Sequence, residues 1–599
     1  VEETLNLFFR QKATENADNV VYKYKEGKSG WKDMTYRELL EKVENFGLGL
    51  SVLGLKPKDH LAIIAENSPK WVITDMASAT IGTVDIPLYP TLTAPQTQFI
   101  LQNGDVRCVA LQNKSQLNKI ESIRAALPLL DTIIIFESFE GMDETKVVTF
   151  DKVIQLGQEF RATNKDEAAR RLAPTLSPDD MVSIVYTSGT TKDPKGVMLS
   201  HRNLLANAKL TDYMCLGKNE ITLNYLPLAH IYGRSGEYLG VMNIGGTIAF
   251  SEHHLTVPRN LEDIKPTRFV SVPALLERAY SKILGQVNSG PAARKTLFNF
   301  FLNMGKKHQE SPCFFTSLFT QIGARLVFQK IRQKFGGRVI HIYVGGGATS
   351  KEVLEFFWAI GMPVFEGYGL TESSPLVALN QPSAYRIGSV GKAYPGMLLK
   401  IAEDGEILTK GPNVMLGYWK NEEATREAID EDGYLHTGDV GHLDKDDFLY
   451  ITDRKKEIHV LSSGKNVAPQ PLENALKTSP FVAQAVTIGQ KREYLTALLV
   501  PNFEALEAEA KSRGIAYKDR PELLAHPEIQ KIYKKEIKRV LVDFAAFEQV
   551  RKFQLLTDEF SQLNDELTPT LKLKRRVIDE HYGKIIEAMY DNTANDDSL

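Results

Sequence analysis

Cysteine is scarce. Cys108, Cys215 and Cys313 are the three in 599 residues, odd in number and far apart. That argues against a disulfide framework or a paired zinc site and fits a reducing compartment, read as the cytoplasm. Long apolar runs are missing: none approaches the roughly 18 residues of a membrane-spanning helix, so the chain as given is not expected to cross a bilayer. The start, Val1-Glu2-Glu3-Thr4-Leu5, has neither the basic stretch nor the apolar core of a secretory leader, and its missing Met points to trimming or an incomplete chain. No sign of charge dominates: 72 Lys and Arg against 75 Asp and Glu leave −3 overall, so nothing at this level calls for nucleic acid. The phosphate-loop signature GxxxxGK[ST] is also absent, which argues against an ordinary kinase or motor ATPase. A chain this long implies more than one core and more than one domain.

What is present points to a polyphosphate held differently. The run Tyr186-Thr187-Ser188-Gly189-Thr190-Thr191-Lys192-Asp193-Pro194-Lys195-Gly196-Val197 sets hydroxyls and a glycine in succession. Backbone N–H groups from Thr187 to Thr191 can turn inward around phosphate oxygens while Lys195 neutralises charge. Ahead of it, Met181-Val182-Ser183-Ile184-Val185-Tyr186 reads as a buried strand, and Leu199 to Leu210 carries a helical pattern, which places the loop at a strand–helix junction. A bland Ser/Thr/Gly loop is the competing reading.

From about residue 35 to 280, short β-rich runs such as Leu61-Ala62-Ile63-Ile64-Ala65 alternate with helical patterns such as Tyr36 to Leu50. The fold class is therefore α/β with mixed or parallel sheets. Arg338 to Val344 reads as a strand running into Gly345-Gly346-Gly347, where backbone without Cβ can approach a flat ligand. Residues 395–453 form short strands punctuated by glycine, a small β-rich subdomain, and 454–599 hold a smaller α+β domain. The expected boundary is Asp453, giving a large 1–453 unit and a small 454–599 unit, with a disordered tail from Asp591. Residues 291–338 carry nine Lys/Arg against one acid, Glu310, interleaved with Phe298, Phe300, Phe301, Phe314, Phe315, Phe319 and Phe328. Helices with those rings on an anionic membrane are one reading. A helical insertion packed on its own domain with a solvated basic face is the other, and the sequence leans to it.

Six further segments occur in order: Leu226-Pro227-Leu228-Ala229-His230, Val344-Gly345-Gly346-Gly347-Ala348, Glu366-Gly367-Tyr368-Gly369-Leu370-Thr371-Glu372, His436-Thr437-Gly438-Asp439, Asp453-Arg454-Lys455-Lys456-Glu457, and Leu567-Thr568-Pro569-Thr570-Leu571-Lys572-Leu573-Lys574-Arg575-Arg576. Together they resemble the adenylate-forming superfamily of acyl-CoA synthetases, luciferases and adenylation domains, over nearly the whole chain. The wording after Asp453, with Ser463-Gly464-Lys465-Asn466-Val467, is most similar to long-chain fatty acyl-CoA synthetases. Two positions depart from the pattern: Lys192 and Leu571 stand where glycine is usual.

The resemblance implies ATP-dependent activation of a fatty acid to acyl-AMP, pyrophosphate release, then transfer to coenzyme A. It implies that Thr187, Ser188, Gly189, Thr190, Thr191 and Lys195 hold the β- and γ-phosphates and that Thr187 and Glu372 hold Mg²⁺. Gly345, Gly346, Gly347, Ala348, Glu366, Gly367, Tyr368, Gly369 and Thr371 would border the nucleotide, with Tyr368 stacked on adenine. Asp439 and Arg454 would take the ribose, His230 would orient the acyl carboxylate, and Lys572 would bridge that carboxylate and the α-phosphate. Asp453 would be a hinge that swings 454–599 to bring Gly464 to the thioester site. Lys572, Lys574, Arg575 and Arg576 can equally be read as one solvated basic face. Fatty acyl-AMP ligation, another acid or acceptor, and a non-catalytic nucleotide-binding scaffold are the alternatives.

Overall fold

Apolar β-branched runs give one sheet its buried strands. His60–Ile64 is buried at every residue and pairs in parallel with both Val84–Leu88 and Val106–Leu111. A parallel sheet must be covered on both faces, which is why these strands show no polar alternation. The structure, a computed structural model, describes residues 3–27, 30–187, 193–214, 216–310, 314–455, 457–568 and 572–591. Cys215, Cys313, Phe314 and Phe315 as side chains, and the expected tail from 592 onward, lie outside that description.

The sheet containing His60–Ile64 has eight strands, running from Gly417–Tyr418 at one edge through Lys195–Ser200 and Met181–Thr187 to Val148–Thr149 at the other. A nine-stranded sheet is built around parallel Ile221–Asn224, Arg268–Ser271, His341–Val344 and Val364–Gly369. Helices cover both sheets. Tyr36–Val52 starts where Thr35 and Glu38 cap each other reciprocally. It packs against Phe150–Thr163 so closely that a Cβ on Gly157 would stand 1.7 Å from Asn45 O. Leu398–Ile401, Glu406–Lys410, Leu435–Leu443 and Leu449–Arg454 make the small four-stranded sheet. The C-terminal domain has its own core around a three-stranded sheet of Val482–Ile488, Leu495–Pro501 and Val550–Leu555. The expected α/β class, with a large mixed-sheet domain and a smaller C-terminal one, is the observed architecture.

One local expectation changes and two gain detail. The chain on either side of the expected phosphate turn does not run from a strand into a helix: Lys195–Ser200 returns antiparallel to Met181–Thr187, with Thr187 opposite Lys195, and the helix starts only at His201. Val197 and Leu199, both buried, give the return strand its inward face, and Ser200 then caps the helix by accepting from Asn203 N. Leu449–Arg454 runs through Asp453, so the expected boundary falls on the last residues of a strand paired with Leu435–Leu443. Within 291–338 most of the described rings turn inward, Phe298, Phe301 and Phe328 being buried in the core beneath His341–Val344.

A charged cluster joins the two large sheets. Arg234, on the π-helical turn Gly233–Leu239, is 1% exposed and sits between Asp75 and Asp85, with Nη2 at 2.5 and 2.9 Å. Its Nη1 donates to Ser183 Oγ at 2.7 Å. Asp75 comes from the helix Pro69–Ile81, Asp85 from Val84–Leu88 and Ser183 from the strand that leads to Thr187. One cation facing two buried acids leaves excess negative charge, and burial pushes the Asp75 carboxyl up to about 7.

Candidate active site

Strand pairing assembles the residues expected to meet the phosphates. Gly417–Tyr418 adds antiparallel to Lys195–Ser200, which brings the Tyr418 ring to 4.9 Å from Lys195 Nζ. The Tyr418 hydroxyl donates to Glu372 Oε1 at 2.8 Å. Lys195, Tyr418 and Glu372 thus form a chain from the end of the hairpin to the turn after Val364–Gly369, with Thr187 opposite Lys195. Ser188, Gly189, Thr190, Thr191 and Lys192 lie outside the described residues. Tyr418 was not singled out in the sequence; only its pairing with a distant strand shows what it does.

The residues expected to take the ribose are built on the small four-stranded sheet. Asp439 is buried, accepting from the Tyr368 hydroxyl at 2.6 Å on Oδ2 and from Arg454 Nε at 2.8 Å on Oδ1. Each carboxylate oxygen keeps a lone pair for a further donor. Asp439 and Arg454 face each other in register across the two strands, which explains why residues distant in sequence act together. The Tyr368 ring is held by its own hydroxyl, and burial with the Asp439 charge keeps that phenol protonated.

Past Val344 the chain turns through Gly345, Gly346, Gly347 and Ala348, the last three exposed. Gly346 adopts φ +82°, and a Cβ on Gly345 would meet the Tyr232 ring at 3.3 Å. Glu366 and Thr371 are buried; Glu366 accepts from Thr349 N at 3.3 Å, and loss of water pushes its carboxyl up to about 8. Gly367 and Gly369 are accounted for by strand contact, since a Cβ on Gly369 would lie 1.8 Å from Pro375 O.

His230 follows Leu228, whose N–H is held by Asn67 Oδ1 at 2.8 Å. Its Nδ1 accepts from Tyr232 N at 3.0 Å, leaving Nε2 to carry the proton. Burial, and then the charge of Lys572, lower its pKa to about 4, so the ring is neutral at ordinary pH. Arg234 N donates to His230 O at 3.0 Å, connecting this turn to the buried charge cluster.

Lys572 comes from the other domain. Thr568 N donates to Lys572 O at 2.8 Å and Lys572 N to Thr568 Oγ1 at 3.0 Å, pinching a loop whose ends, Leu567 and Leu573, pair in a bridge. Residues 569–571 lie outside the described set. Lys574 pairs with Asp565, Arg575 with Glu473 at 2.8 Å and Arg576 with Glu580 at 2.7 Å. Among the described residues no carboxylate pairs with Lys572. Its side chain is open to solvent yet stands in a cleft: dehydration, then Arg454, lower the ammonium pKa, against the opposing pull of Asp439, Glu457 and Glu372. The domains touch where Asn474 Nδ2 donates to Ala348 O at 3.2 Å and where Lys477 meets Glu277 at 3.3 Å. Gly464 lies in an exposed turn, φ +78°, with open space where a Cβ would be.

The family model described as AMP-binding enzyme matches residues 9–419, and the model of the AMP-binding enzyme C-terminal domain matches 456–594. The chain belongs to the AMP-binding enzyme family. This adenylate-forming enzyme is 32% identical to the long-chain-fatty-acid–CoA ligase FadD15 of Mycobacterium tuberculosis, with 94% of this chain and 93% of that protein covered. It is 30% identical to long-chain-fatty-acid–CoA ligase 6 of Homo sapiens, over 98% and 86%. Its fold matches the crystal structure of the anthranilate CoA ligase AuaEII in complex with anthranoyl-AMP, with TM-score 0.74 at 19% identity and 98% of each chain covered. It also matches the adenylation domain of a carboxylate reductase from Mycobacterium chelonae, with TM-score 0.78 at 24% identity, covering 98% of this chain and 91% of that one. Among the described residues no helix is long and apolar enough to cross a membrane.

Proposed function

We propose that this AMP-binding enzyme activates a long-chain fatty acid with ATP and passes the acyl group to coenzyme A. The observation that carries the chemistry is Lys572, the member of a four-base run that pairs with no acid among the described residues, held across the domain cleft close enough for its charge to act on His230. The nature of the acid is supported by the long-chain ligases that match over nearly their whole length.

In the first step a carboxylate oxygen attacks the α-phosphorus of ATP and the bond to the β-phosphate oxygen breaks, releasing pyrophosphate. Negative charge builds on the entering, leaving and equatorial oxygens together, so fixed cations lower the barrier more than they lower the ground state. Lys572 supplies one between the acid and the α-phosphate, and Lys195 supplies another at the phosphate tail. Neutral His230 donates from Nε2 to orient the carboxylate; with its pKa near 4 it is no base, and an ionised acid needs none. Asp439 accepts from the ribose hydroxyls, with Arg454 beside it, and Tyr368 presents a fixed ring to adenine. For Mg²⁺ the donor set fits: Glu372 has one carboxylate oxygen engaged by Tyr418 and one not, and Thr187 adds a hydroxyl, hard oxygens of the sort this cation takes. When bound, the ion draws charge from the phosphate oxygens.

In the second step the thiol sulfur attacks the acyl carbonyl carbon, the mixed anhydride breaks, AMP leaves with the bonding pair and the thiol proton passes to water. Lys572 occupies the cleft during the first step, so the C-terminal domain must turn about Asp453, carrying Lys572 out and bringing the Gly464 turn in. Contacts such as Asn474 with Ala348 and Lys477 with Glu277 are single, part-buried polar contacts that such a rotation would exchange.

A pyrophosphate-release screen over acids from acetate to long-chain fatty acids, with and without coenzyme A, tests this reading. Release should rise with chain length, and acyl-CoA should accumulate only with the thiol. Acyl-AMP as the sole product would make the enzyme a fatty acyl-AMP ligase, and no release with any acid would leave a nucleotide-binding scaffold.

A further inference from the structure

The helices Ala292–Glu310 and Phe314–Leu326 form a hairpin with one face buried and another bare. Inward, Phe301 meets Gly323, where a Cβ would come within 2.8 Å of the ring. Outward, Leu297 and Phe300 on the first helix are 51% and 45% exposed, and Leu318 and Leu326 on the second 42% and 78%. Phe300 packs edge-on against Phe319 at 5.7 Å, so the outer apolar residues of the two helices form one band. Lys307 follows Phe300 by two helical turns and Arg325 follows Leu318 by two, which puts each base on the same helix face as an exposed apolar side chain. Arg294 and Lys330 flank the band at its ends. These four bases are exposed and pair with no acid among the described residues, whereas Lys306 and Lys334 nearby are paired with Glu355 and Glu262.

We infer that this outer face docks on the surface of an anionic lipid bilayer. Bare apolar side chains bordered by unpaired cations match a boundary where acyl chains lie under negative headgroups. A helix of 19 residues is about 28 Å long and here too polar to cross, so the hairpin lies in the plane of the interface. The docking itself does not depend on which acid is activated. That a water-insoluble acid then reaches the enzyme from the membrane rests on the function proposed above.

Flotation of the full chain with vesicles of phosphatidylcholine alone, or with added phosphatidylglycerol, reads the docking directly. Binding is expected to the anionic vesicles and to weaken with added salt. Each base near such a surface contributes about five-fold in partition, so joint Arg294→Glu, Lys307→Glu, Arg325→Glu and Lys330→Glu should lower it by on the order of 1,000-fold. Joint Leu297→Ser, Phe300→Ser and Leu318→Ser should also release the protein. Turnover of a short, soluble acid, unchanged in both variants, shows that the site is intact. Equal binding to both vesicle types, full binding by the variants, or no binding by the parent chain overturns the inference. So does a dimer that the serine variants dissociate while vesicle binding stays as it was, since the face would then belong to a second copy. A dead enzyme that still binds anionic vesicles would defeat the proposed function and leave the docking standing.

Discussion

Replacing Lys572 with Met tests the two-step scheme at its most exposed point. The side chain is open to solvent and no acid pairs with it among the described residues, so the change removes a cation without breaking an ion pair, and thermal unfolding should be unaltered. Under the proposed mechanism, what it removes is charge at the α-phosphate. A cation about 4 Å from a developing anionic oxygen contributes about 4 kcal/mol at an effective dielectric near 20. Deleting one fixed donor from a preorganised site costs about 3–4 kcal/mol in measured cases. With about 1.4 kcal/mol per decade, adenylation should fall by about 10²–10³-fold. Pyrophosphate release with acid and ATP measures that step; acyl-CoA formation from supplied acyl-AMP measures the other and should stay within a few-fold of the parent. The pH dependence adds an independent check. Dehydration in the cleft and then Arg454 lower the Lys572 pKa, so as pH rises the cation is lost earlier than a free lysine would lose it, and the alkaline limb of adenylation should lie below the ordinary lysine range and vanish in the Met variant. Equal loss in both half-reactions, or less than a ten-fold loss in the first, would refute the assigned role.

Tyr368→Phe deletes the 2.6 Å bond to Asp439 and should raise KM for ATP by about ten-fold with kcat largely kept, in line with about 1.5 kcal/mol for a hydrogen bond to a charged group; an unchanged KM in initial-rate measurements would count against it. His230 should titrate near 4 by NMR, and adenylation should show no limb between pH 6 and 7; because the unfolded chain takes up that proton at about 6.5 and the folded one does not, stability should fall as pH drops from about 6.5 to about 4. Arg234→Met leaves two buried carboxylates without their cation and should cost about 3–5 kcal/mol in urea unfolding, with a loss below about 1 kcal/mol excluding the cluster as a structural tie. The Asp75 carboxyl is raised to about 7, so the folded state keeps a proton the unfolded state has given up, and stability should decline as pH rises from about 4 to about 7; Asp75→Asn should flatten that slope.

Asp439, Arg454, His230 and Tyr368 were picked out by motifs that resemble a known superfamily rather than by composition or periodicity, and the structure brings Tyr368, Asp439 and Arg454 into direct contact. The hairpin return at Lys195–Ser200 was not legible: Leu199 to Leu210 does carry a helical period, but Val197 and Leu199 are drawn into the sheet by tertiary pairing with Met181–Thr187 and Gly417–Tyr418. Tyr418 escaped for the same reason, since nothing local marks a residue whose importance comes from a strand partner far away in the chain. Lys572 is the intermediate case. Its neighbours Lys574, Arg575 and Arg576 are chemically alike, and only their pairing with Asp565, Glu473 and Glu580 leaves one ammonium available to the other domain. Arg234 lies at the far extreme, four residues past His230 and yet placed by burial against acids from two other elements. A cation fully dehydrated between two carboxylates cannot move without a large penalty, so the cluster holds the strand that leads to the phosphate turn and the turn that carries His230 in one fixed relation. In the proposed mechanism Lys572 then acts on a target whose two halves are already in register, and that rigidity in the large domain would make rotation of the small domain an effective way to separate the two steps.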